Sequence, residues 1–427
     1  MRFGRFQYSF HALYGDIFGG FIAALIAIPY GLALASMMGL PPILGLVTSV
    51  VTGPITAVLG RNPVLIGGTA SATVPFIAHA VNLQGMGGAA KVCIVAAVFM
   101  MVFCVLRLGR YIQKVPQPVV TGFSCGIGAM MFLSQLATMT GAKAVVDRTS
   151  NNLLFQSYQV LAEFSTARPG SILVSILVIA GAFATARFAP RAPAPLIGVL
   201  FAVGVAAVFG VHEREIGRLP FEVPPFVGFA WAPSDVWEVL PAAFGLAFVA
   251  SVNILITSRV VEHFRGRHKH LKRSDADAEL GAFGIANVAA GMLGAPMSVG
   301  IPARSLASVR CGGTTPVSNI LHALMIVGFV GVAGPLIARI PMAALSGVTA
   351  YIGICLLEWS TWFRLAKMRR VDAAAFLTTS VAVLVVNAVA AVAIGCSLYV
   401  LHWVYLRVLH PERLRHEEPL KEVAVAK

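Results

Sequence analysis

The residue whose chemistry most needs an explanation is Arg304, an arginine inside a chain that is otherwise largely apolar. An arginine at the centre of a bilayer helix costs roughly 2.5–3.5 kcal/mol unless it meets water, a counter-ion or a substrate. Gly300 and Pro302 interrupt the apolar run before it, and Pro302 suits the first position of a short helix. Arg304 is therefore the first candidate for binding an anion.

The short helix predicted here has two further features that suit an anion. Ile301 precedes it and has no side-chain oxygen, so the first N–H groups and the positive end of the helix dipole stay available. Ser308 follows Arg304 by four residues and shares its face of the helix. We predict that this half-helix binds an anion through its N-terminus, Arg304 and Ser308.

A second interruption lies near the start of the chain, at residues 66–73 (Ile-Gly-Gly-Thr-Ala-Ser-Ala-Thr). An apolar segment follows it and continues to about Ala80. Transporters built from inverted repeats bind their substrate near the bilayer midplane, between two such broken helices. The alternative, a glycine-rich kink and a snorkelling arginine, leaves the paired interruptions unexplained. We therefore expect two half-helices that meet at the midplane.

Composition sets the class of protein. Of the 427 residues, 58% are hydrophobic and 12% are charged, and the mean hydropathy is +0.82. Apolar runs of roughly 20 residues, long enough to cross the hydrocarbon, recur from Asp16 to Val408. The sequence predicts an all-α polytopic membrane protein with about 14 transmembrane segments.

The net charge of +14 has an explanation that does not involve nucleic acid. If the N-terminus is cytoplasmic, most of the 32 lysines and arginines fall in loops on the inner side. The positive-inside rule then predicts a multi-pass protein of the inner (plasma) membrane with both termini in the cytoplasm. The basic run from Arg265 to Arg273 is interpreted as a loop that contacts anionic lipid. The six cysteines have no metal-binding spacing and are interpreted as small buried hydrophobic residues.

A weak internal repeat indicates two related halves. Residues 115–123 and 340–348 share a proline, a hydroxyl residue and a glycine at the same spacing: Pro116 with Pro341, Thr121 with Ser346, and Gly122 with Gly347. An odd number of spans in each half makes the halves inverted. We predict a first repeat at residues 1–212, a second at 232–408, and a short cytoplasmic tail at 409–427.

Several motifs together resemble the sulfate permease (SulP) family of anion transporters. The stretches that match are Pro29 to Leu46, Pro116 to Phe123, Glu279-Leu280 with Gly284 and Asn287, and Ala303-Arg304-Ser305 with Gly312, Gly313, Thr315 and Ser318. The resemblance implies a seven-plus-seven inverted repeat. Spans one to four and eight to eleven would form a core that moves against a gate formed by the other six.

The same resemblance implies which residues surround the anion. Transferred position by position, they are Tyr30 and Leu34 on the first span, Thr69, Ala70 and Ser71 on the third, Asn253 on the eighth, and Ala303, Arg304 and Ser305 on the tenth. The chain departs from the family in three ways. The cytoplasmic STAS domain is expected to be absent, Tyr30 replaces a glutamine, and Asn253 replaces the acidic residue of many bacterial members.

The function predicted from these features is secondary transport of small inorganic or organic anions, of the sulfate, bicarbonate, chloride or dicarboxylate class. An elevator-type movement of the core against the gate is expected. We also expect exchange or uncoupled transport, because Asn253 cannot carry a proton or a negative charge. The alternative is a nucleobase permease of related fold. No catalytic residue, metal site or cofactor is expected, the partners are a small anion and the bilayer, and a homodimer is possible.

Overall fold

The structure, a computed structural model, describes residues 10–112, 115–141, 153–189, 192–211, 213–217, 233–265, 274–386 and 388–409. In chain order the helices are α1 (Phe10–Met37), α2 (Pro42–Leu59), α3 (Val74–Val105), α4 (Gly109–Ile112), α5 (Gln117–Thr140), α6 (Leu153–Ala162), α7 (Pro169–Phe188), α8 (Ala194–Val208), α9 (Pro233–Arg265), α10 (Ala276–Met292), α11 (Pro302–Arg310), α12 (Pro316–Ala338), α13 (Met342–Leu356), α14 (Trp359–Arg364), α15 (Arg370–Val385) and α16 (Ala388–Leu409). Two strands, β1 (Gly67–Thr69) and β2 (Ser298–Gly300), and 3-10 turns at Ser71–Thr73, Phe164–Thr166 and Leu365–Lys367 complete the described elements. The predicted all-α class is confirmed.

Eight described helical stretches are long and apolar enough to cross a membrane, and two shorter apolar helices accompany them. One of the eight, Met342–Lys367, joins α13, α14 and the turn that follows. Others fall below that length because they are short or broken: α10 has 17 residues, α15 has 16 and α11 has nine. The long helix α3 consists of two helical segments that meet at Gly85, where φ is 68° and ψ is −164°. A side chain at this backbone conformation is strained, so glycine permits the turn between the third and fourth spans. Helix α3 therefore contributes two spans, which meet at Gly85.

Contacts divide the chain into two compact units, residues 1–114 with 131–355 and residues 115–130 with 356–427. The first unit holds α1–α4, α6–α12 and most of α13, and the second holds α14–α16 and the start of α5. In the arrangement implied by the family, α7, α8 and α13 are gate spans. The contacts instead group these three helices with the expected core spans. Packing within the first unit accounts for the difference, because α8 contacts α1 and the Ser175 hydroxyl of α7 donates to the Ala343 carbonyl of α13 over 2.9 Å.

Glycines in α1 and α2 bring these two helices into backbone contact. A Cβ atom placed on Gly45 would lie 2.6 Å from the carbonyl carbon of Gly31 and 3.0 Å from the Cβ of Ala35. Small residues permit such close approach in membranes, where helix association depends on van der Waals packing. Gly19 and Gly20 likewise bring α1 against the backbone of α11 and α12, with Cβ-to-oxygen distances of 2.8 Å to Ser308 and Ser318. Helix α1 is thus the central packing element of the first unit.

The two copies of the internal repeat occupy equivalent positions in the fold. Helix α5 begins one residue after Pro116, and α13 begins one residue after Pro341. A Cβ atom on Gly122 would meet the backbone of Phe376 on α15, and one on Gly347 would meet the backbone of Ser175 on α7. The spacing found in the sequence therefore corresponds to equivalent close contacts, one within each unit. The repeat boundaries at residues 212 and 232 remain predictions, and residues 410–427 of the predicted tail lie outside the described residues.

We expect Gly45→Ala to lower the stability of the purified protein, because the added methyl group overlaps the backbone of α1. Overpacking of this kind costs roughly 1–3 kcal/mol. The measurement is the midpoint of thermal unfolding in detergent. Gly328→Ala is the matched control, since Gly328 also lies in a helix but a Cβ there meets nothing within 4 Å. An unchanged midpoint for Gly45→Ala would show that α1 and α2 separate at little cost.

Candidate functional site

The two broken segments meet as a short antiparallel ladder. Gly67 pairs with Gly300, Gly68 with Val299, and Thr69 with Ser298. The Ile301 N–H extends the pairing by donating to the Ile66 carbonyl over 2.9 Å. Since the strands are antiparallel, α3 and α11 leave the ladder at opposite ends, and their positive N-termini converge on it. This is the predicted meeting of two half-helices.

Both half-helices begin without a side-chain cap. Ala70 precedes the turn that leads into α3 and Ile301 precedes α11, and neither side chain caps the helix that follows. The first backbone bonds run from the Thr73 N–H to the Ala70 carbonyl and from the Ser305 N–H to the Ile301 carbonyl. The N–H groups of the intervening residues have no acceptor within their own helix. An anion at either terminus would find these donors together with the helix dipole.

Polar side chains of neighbouring helices hold the ladder in place. On α10, Asn287 donates to the Ser298 carbonyl over 2.9 Å and accepts from the Ser298 N–H over 2.6 Å. The Thr52 hydroxyl on α2 donates to the Ser298 hydroxyl over 2.9 Å, and Asn319 on α12 donates to the Leu65 carbonyl over 3.1 Å. Because all four side chains are buried, each bond satisfies a polar group that water does not reach.

The motif residues Glu279 and Asn287 both bind the backbone of the broken segments or of the residues that lead into them. Glu279 is buried, and its Oε1 accepts from the N–H groups of Arg61 and Asn62 over 2.8 and 2.6 Å. These two residues lead from α2 into the first broken segment, whereas Asn287 binds the second. Helix α10 therefore anchors both broken segments from one side.

Arg304 is fully buried, and its guanidinium lies against Gly68 of the ladder. Its Nη1 donates to the Ser49 hydroxyl of α2 over 2.9 Å, while its Nε and Nη2 have no hydrogen-bond partner in the described part of the chain. A Cβ on Gly68 would collide with the guanidinium and would lie 2.7 Å from the Ser49 hydroxyl. The absence of a side chain at Gly68 thus makes room for the charge. The guanidinium is close to the half-helix termini but is not exposed beside them.

The hydroxyl groups expected to donate to the anion are mostly bound to the protein. Ser305 donates to the Ile301 carbonyl and accepts from the Ile66 N–H, both over 2.9 Å. Thr69 donates to the Gly45 carbonyl over 3.0 Å, and Ser308 is paired with Ser318 over 2.7 Å. These hydroxyls stabilise the broken segments in this conformation.

The accessible members of the predicted site are Tyr30, Ser71, Asn253 and Ala303. Ala303 is exposed and the other three are partly exposed, whereas Leu34 and Ala70 are buried. The elements that carry the accessible residues contact one another, since α11 packs on α1 and α9, and α9 packs on the Ser71–Thr73 turn. The accessible part of the predicted site therefore comprises an aromatic ring, a hydroxyl, an amide and the start of α11.

Asn253 is attached to the second broken segment through Thr257. The Thr257 hydroxyl lies 3.4 Å from the Asn253 Oδ1 and 3.2 Å from the Gly300 carbonyl, and can donate to either one. Asn253 and Thr257 therefore share one face of α9. This contact places Asn253 one helical turn from the end of β2, close to the start of α11.

Two residues that matter for Arg304 were not predicted, namely Ser49 and Gly68. The sequence of α2 did indicate a polar face on this helix, because Thr48, Thr52 and Thr56 recur every four residues. Such spacing marks a polar stripe on one face of an apolar helix. The same buried region contains His322, whose ring nitrogens have no hydrogen-bond partner among the described residues.

We expect Asn287→Ala to destabilise the fold, because it leaves the N–H and carbonyl of Ser298 buried without their partner. Each unsatisfied group of this kind costs roughly 1–3 kcal/mol. Thermal unfolding in detergent measures the effect. The control is Gln84→Ala, which removes an exposed hydrogen bond of 3.1 Å to Glu238 and should change stability by less than about 0.5 kcal/mol. Equal stability of the two variants would contradict an anchoring role for Asn287.

Curated relatives of this chain are membrane transporters. The "Probable sulfate transporter Rv1739c" of Mycobacterium tuberculosis is 30% identical over 416 residues, which cover 95% of this chain and 72% of the relative. The bicarbonate transporter BicA of Picosynechococcus is 28% identical over 365 residues, which cover 82% of this chain and 63% of the relative.

Solved structures with the same fold include the transmembrane domain of a cyanobacterial BicA and the murine Slc26a9 anion transporter in its inward-facing state. The TM-scores are 0.79 and 0.82, at 24% and 17% identity. The BicA match covers 90% of this chain and 98% of the other, and the Slc26a9 match covers 95% and 69%. These matches confirm the predicted inverted-repeat membrane fold. The model of the sulfate permease family matches residues 13–379, from the first helix into α15, and the chain therefore belongs to the sulfate permease family.

Proposed function

We propose that this protein is a secondary transporter of small anions, which bind where the two half-helices converge on the ladder. The observation that carries the proposal is the pair of uncapped helix N-termini with the buried charge of Arg304 beside them. The names of the relatives, which are sulfate and bicarbonate transporters, support an inorganic oxyanion as substrate.

The charges near the site favour an anion over a neutral or positive ligand. A guanidinium keeps its proton in proteins, so Arg304 contributes a full positive charge close to the two positive helix ends. The buried carboxylates Asp16 and Glu279 accept bonds from backbone N–H groups instead of facing the ladder. Asp16 binds Thr314 and Thr315, which follow the C-terminus of α11. A nucleobase permease would need carboxylates at the half-helices, and no such side chain lies there among the described residues.

Arg304 is proposed to act on the anion through its field. With the guanidinium fully buried behind Gly68, the direct donors are the backbone N–H groups of Ala303 and Arg304, the corresponding groups after Ala70, and the Ser71 hydroxyl. Across several ångströms at an effective dielectric constant of about 20, one charge contributes roughly 2 kcal/mol, or about thirtyfold in affinity. In this proposal the charge of Arg304 determines the affinity for the anion, and the backbone N–H groups determine where the anion binds.

Transport itself is proposed to be an elevator-type movement of the core spans against the gate spans. The ladder joins the two half-helices by backbone hydrogen bonds, so both can move together with the core while the site stays intact. The proposed location is the inner membrane, with both termini in the cytoplasm, in agreement with the distribution of basic residues.

We expect the wild-type protein to bind sulfate or bicarbonate, and Arg304→Gln to weaken that binding by about thirtyfold, because the variant loses the charge but keeps a long polar side chain. Arg304→Lys should retain most of the affinity, since a field effect does not require the planar guanidinium. Isothermal titration of purified protein with sulfate, bicarbonate, chloride, fumarate and uracil measures both effects.

Ser49→Ala is the control for this series, because it removes the hydrogen bond to Arg304 and leaves the charge in place. It should change affinity by much less than Arg304→Gln. Equal losses in Arg304→Lys and Arg304→Gln would show that the guanidinium binds the anion directly. Tight uracil binding without anion binding would replace the proposal by a nucleobase permease.

We expect anion uptake by the wild type to be independent of imposed sodium and proton gradients, because Asn253 stays neutral. Asn253→Asp places a carboxylate beside Thr257 and the Gly300 carbonyl, two oxygen ligands that suit a small cation. The measurement is uptake into proteoliposomes with the two gradients applied separately.

The matched control is Asn253→Ser, which keeps a neutral polar group at the same position. Concentrative uptake by the wild type on an inward sodium or proton gradient would show that coupling resides at another residue and would contradict the proposed exchange or uncoupled mode.

A further inference from the structure

The segment between α13 and α15 exposes large aromatic side chains beside basic ones. On α14, Trp359 is 53% exposed and Phe363 is 82% exposed. Trp359, Trp362 and Phe363 share one face of the helix by their spacing of three and four residues. Such a face is costly to leave in water, and in a membrane protein it belongs in the interfacial layer.

Trp362 fixes the orientation of this segment. Its indole N–H donates to the Cys125 Sγ of α5 over 3.3 Å, and its ring meets the Phe376 ring of α15 edge to face at 5.1 Å. Because Trp362 is anchored to two helices, the neighbouring Phe363 is held in its exposed position. The aromatic face is therefore a fixed feature of the second unit.

The basic residues of the segment lie next to this face. Within seven residues the chain carries four exposed cations, namely Arg364, Lys367, Arg369 and Arg370. Two acids accompany them: Glu358 is exposed, and Asp372 accepts a hydrogen bond from the Tyr399 hydroxyl. The segment keeps an excess of positive charge.

The course of the chain places the segment at a membrane surface. Helix α13 ends at Leu356, and Glu358, with φ of 49°, turns the chain away from the helix axis. Helix α15 begins at Arg370 and continues into the apolar residues of the next span. Residues 342–367 form one apolar stretch long enough to span a membrane, and α14 lies in its last part. Aromatic and basic residues together at the end of such a stretch are typical of the level of lipid headgroups.

We propose that the surface formed by Trp359, Phe363, Arg364 and Lys367 binds the headgroups of anionic phospholipids, with the aromatic rings among the acyl chains. The complementary charge of the cluster selects an anionic headgroup over a zwitterionic one, since each lysine or arginine near an anionic membrane surface adds to the attraction. This surface is separate from the ladder, and the proposal does not depend on which anion is transported.

The experiment measures binding of phosphatidylglycerol and phosphatidylcholine to the purified full-length protein in detergent, by native mass spectrometry. We expect the wild type to prefer phosphatidylglycerol, and Arg364→Gln/Lys367→Gln to weaken that binding by roughly thirtyfold, about fivefold for each charge removed. Phe363→Ala should weaken binding of both lipids by the same factor, because the ring contributes through the acyl chains. The control, Arg214→Gln/Arg339→Gln, removes the same charge from two other exposed arginines and should leave the preference unchanged.

Two results would overturn the proposal. Undiminished phosphatidylglycerol binding in the double variant would show that the cluster does not recognise the headgroup. Full displacement of the lipid by millimolar inorganic phosphate would identify a site for free phosphate instead. If the double variant fails to fold, Lys367→Gln alone provides the same comparison with an expected loss of about fivefold.

Discussion

The structure depends on one constraint, which is that backbone N–H and carbonyl groups inside a membrane must find hydrogen-bond partners. Two membrane segments are broken, at β1 and at β2, and each break frees such groups. The chain satisfies them by pairing the two breaks with each other as β1 and β2. Side chains from α2, α10 and α12 complete the pairing, as Thr52, Asn287 and Asn319 illustrate. Among the described residues, the first N–H groups of the two half-helices have no acceptor within their own helix.

The buried charge is part of the same arrangement. Arg304 reaches Ser49 through the space that Gly68 leaves open, so the guanidinium packs against the ladder while Ala303, the preceding residue, is exposed. In the proposed site this charge attracts an anion without forming a direct salt bridge with it. Weak, non-contact attraction suits a transporter, because a bound substrate must also be released.

Much of this arrangement could be predicted from the sequence. Glycine and proline mark both broken segments, and an arginine in an apolar chain marks the site, since the chemistry of each is local. The role of Thr69 and Ser305 could not be predicted, because a hydroxyl group near a ligand site can equally well bond the backbone, and only the fold decides. The contact of Arg304 with Ser49 joins residues 255 positions apart and depends on how α2 packs. The division into compact units likewise follows from packing of α7 and α8 that no motif records.

The register of the ladder shows how far the two halves have diverged. Gly68 and Val299 form the central pair, so the position five residues after Gly68 is equivalent to the position five residues after Val299. These positions hold Thr73 and Arg304, and the Thr73 hydroxyl donates to the Ala70 carbonyl over 2.9 Å. The backbone of the site is close to twofold symmetric, but its charge belongs to one half. In the proposed site the electrostatic potential is therefore unequal on the two sides of the symmetry axis, although the backbone there is repeated.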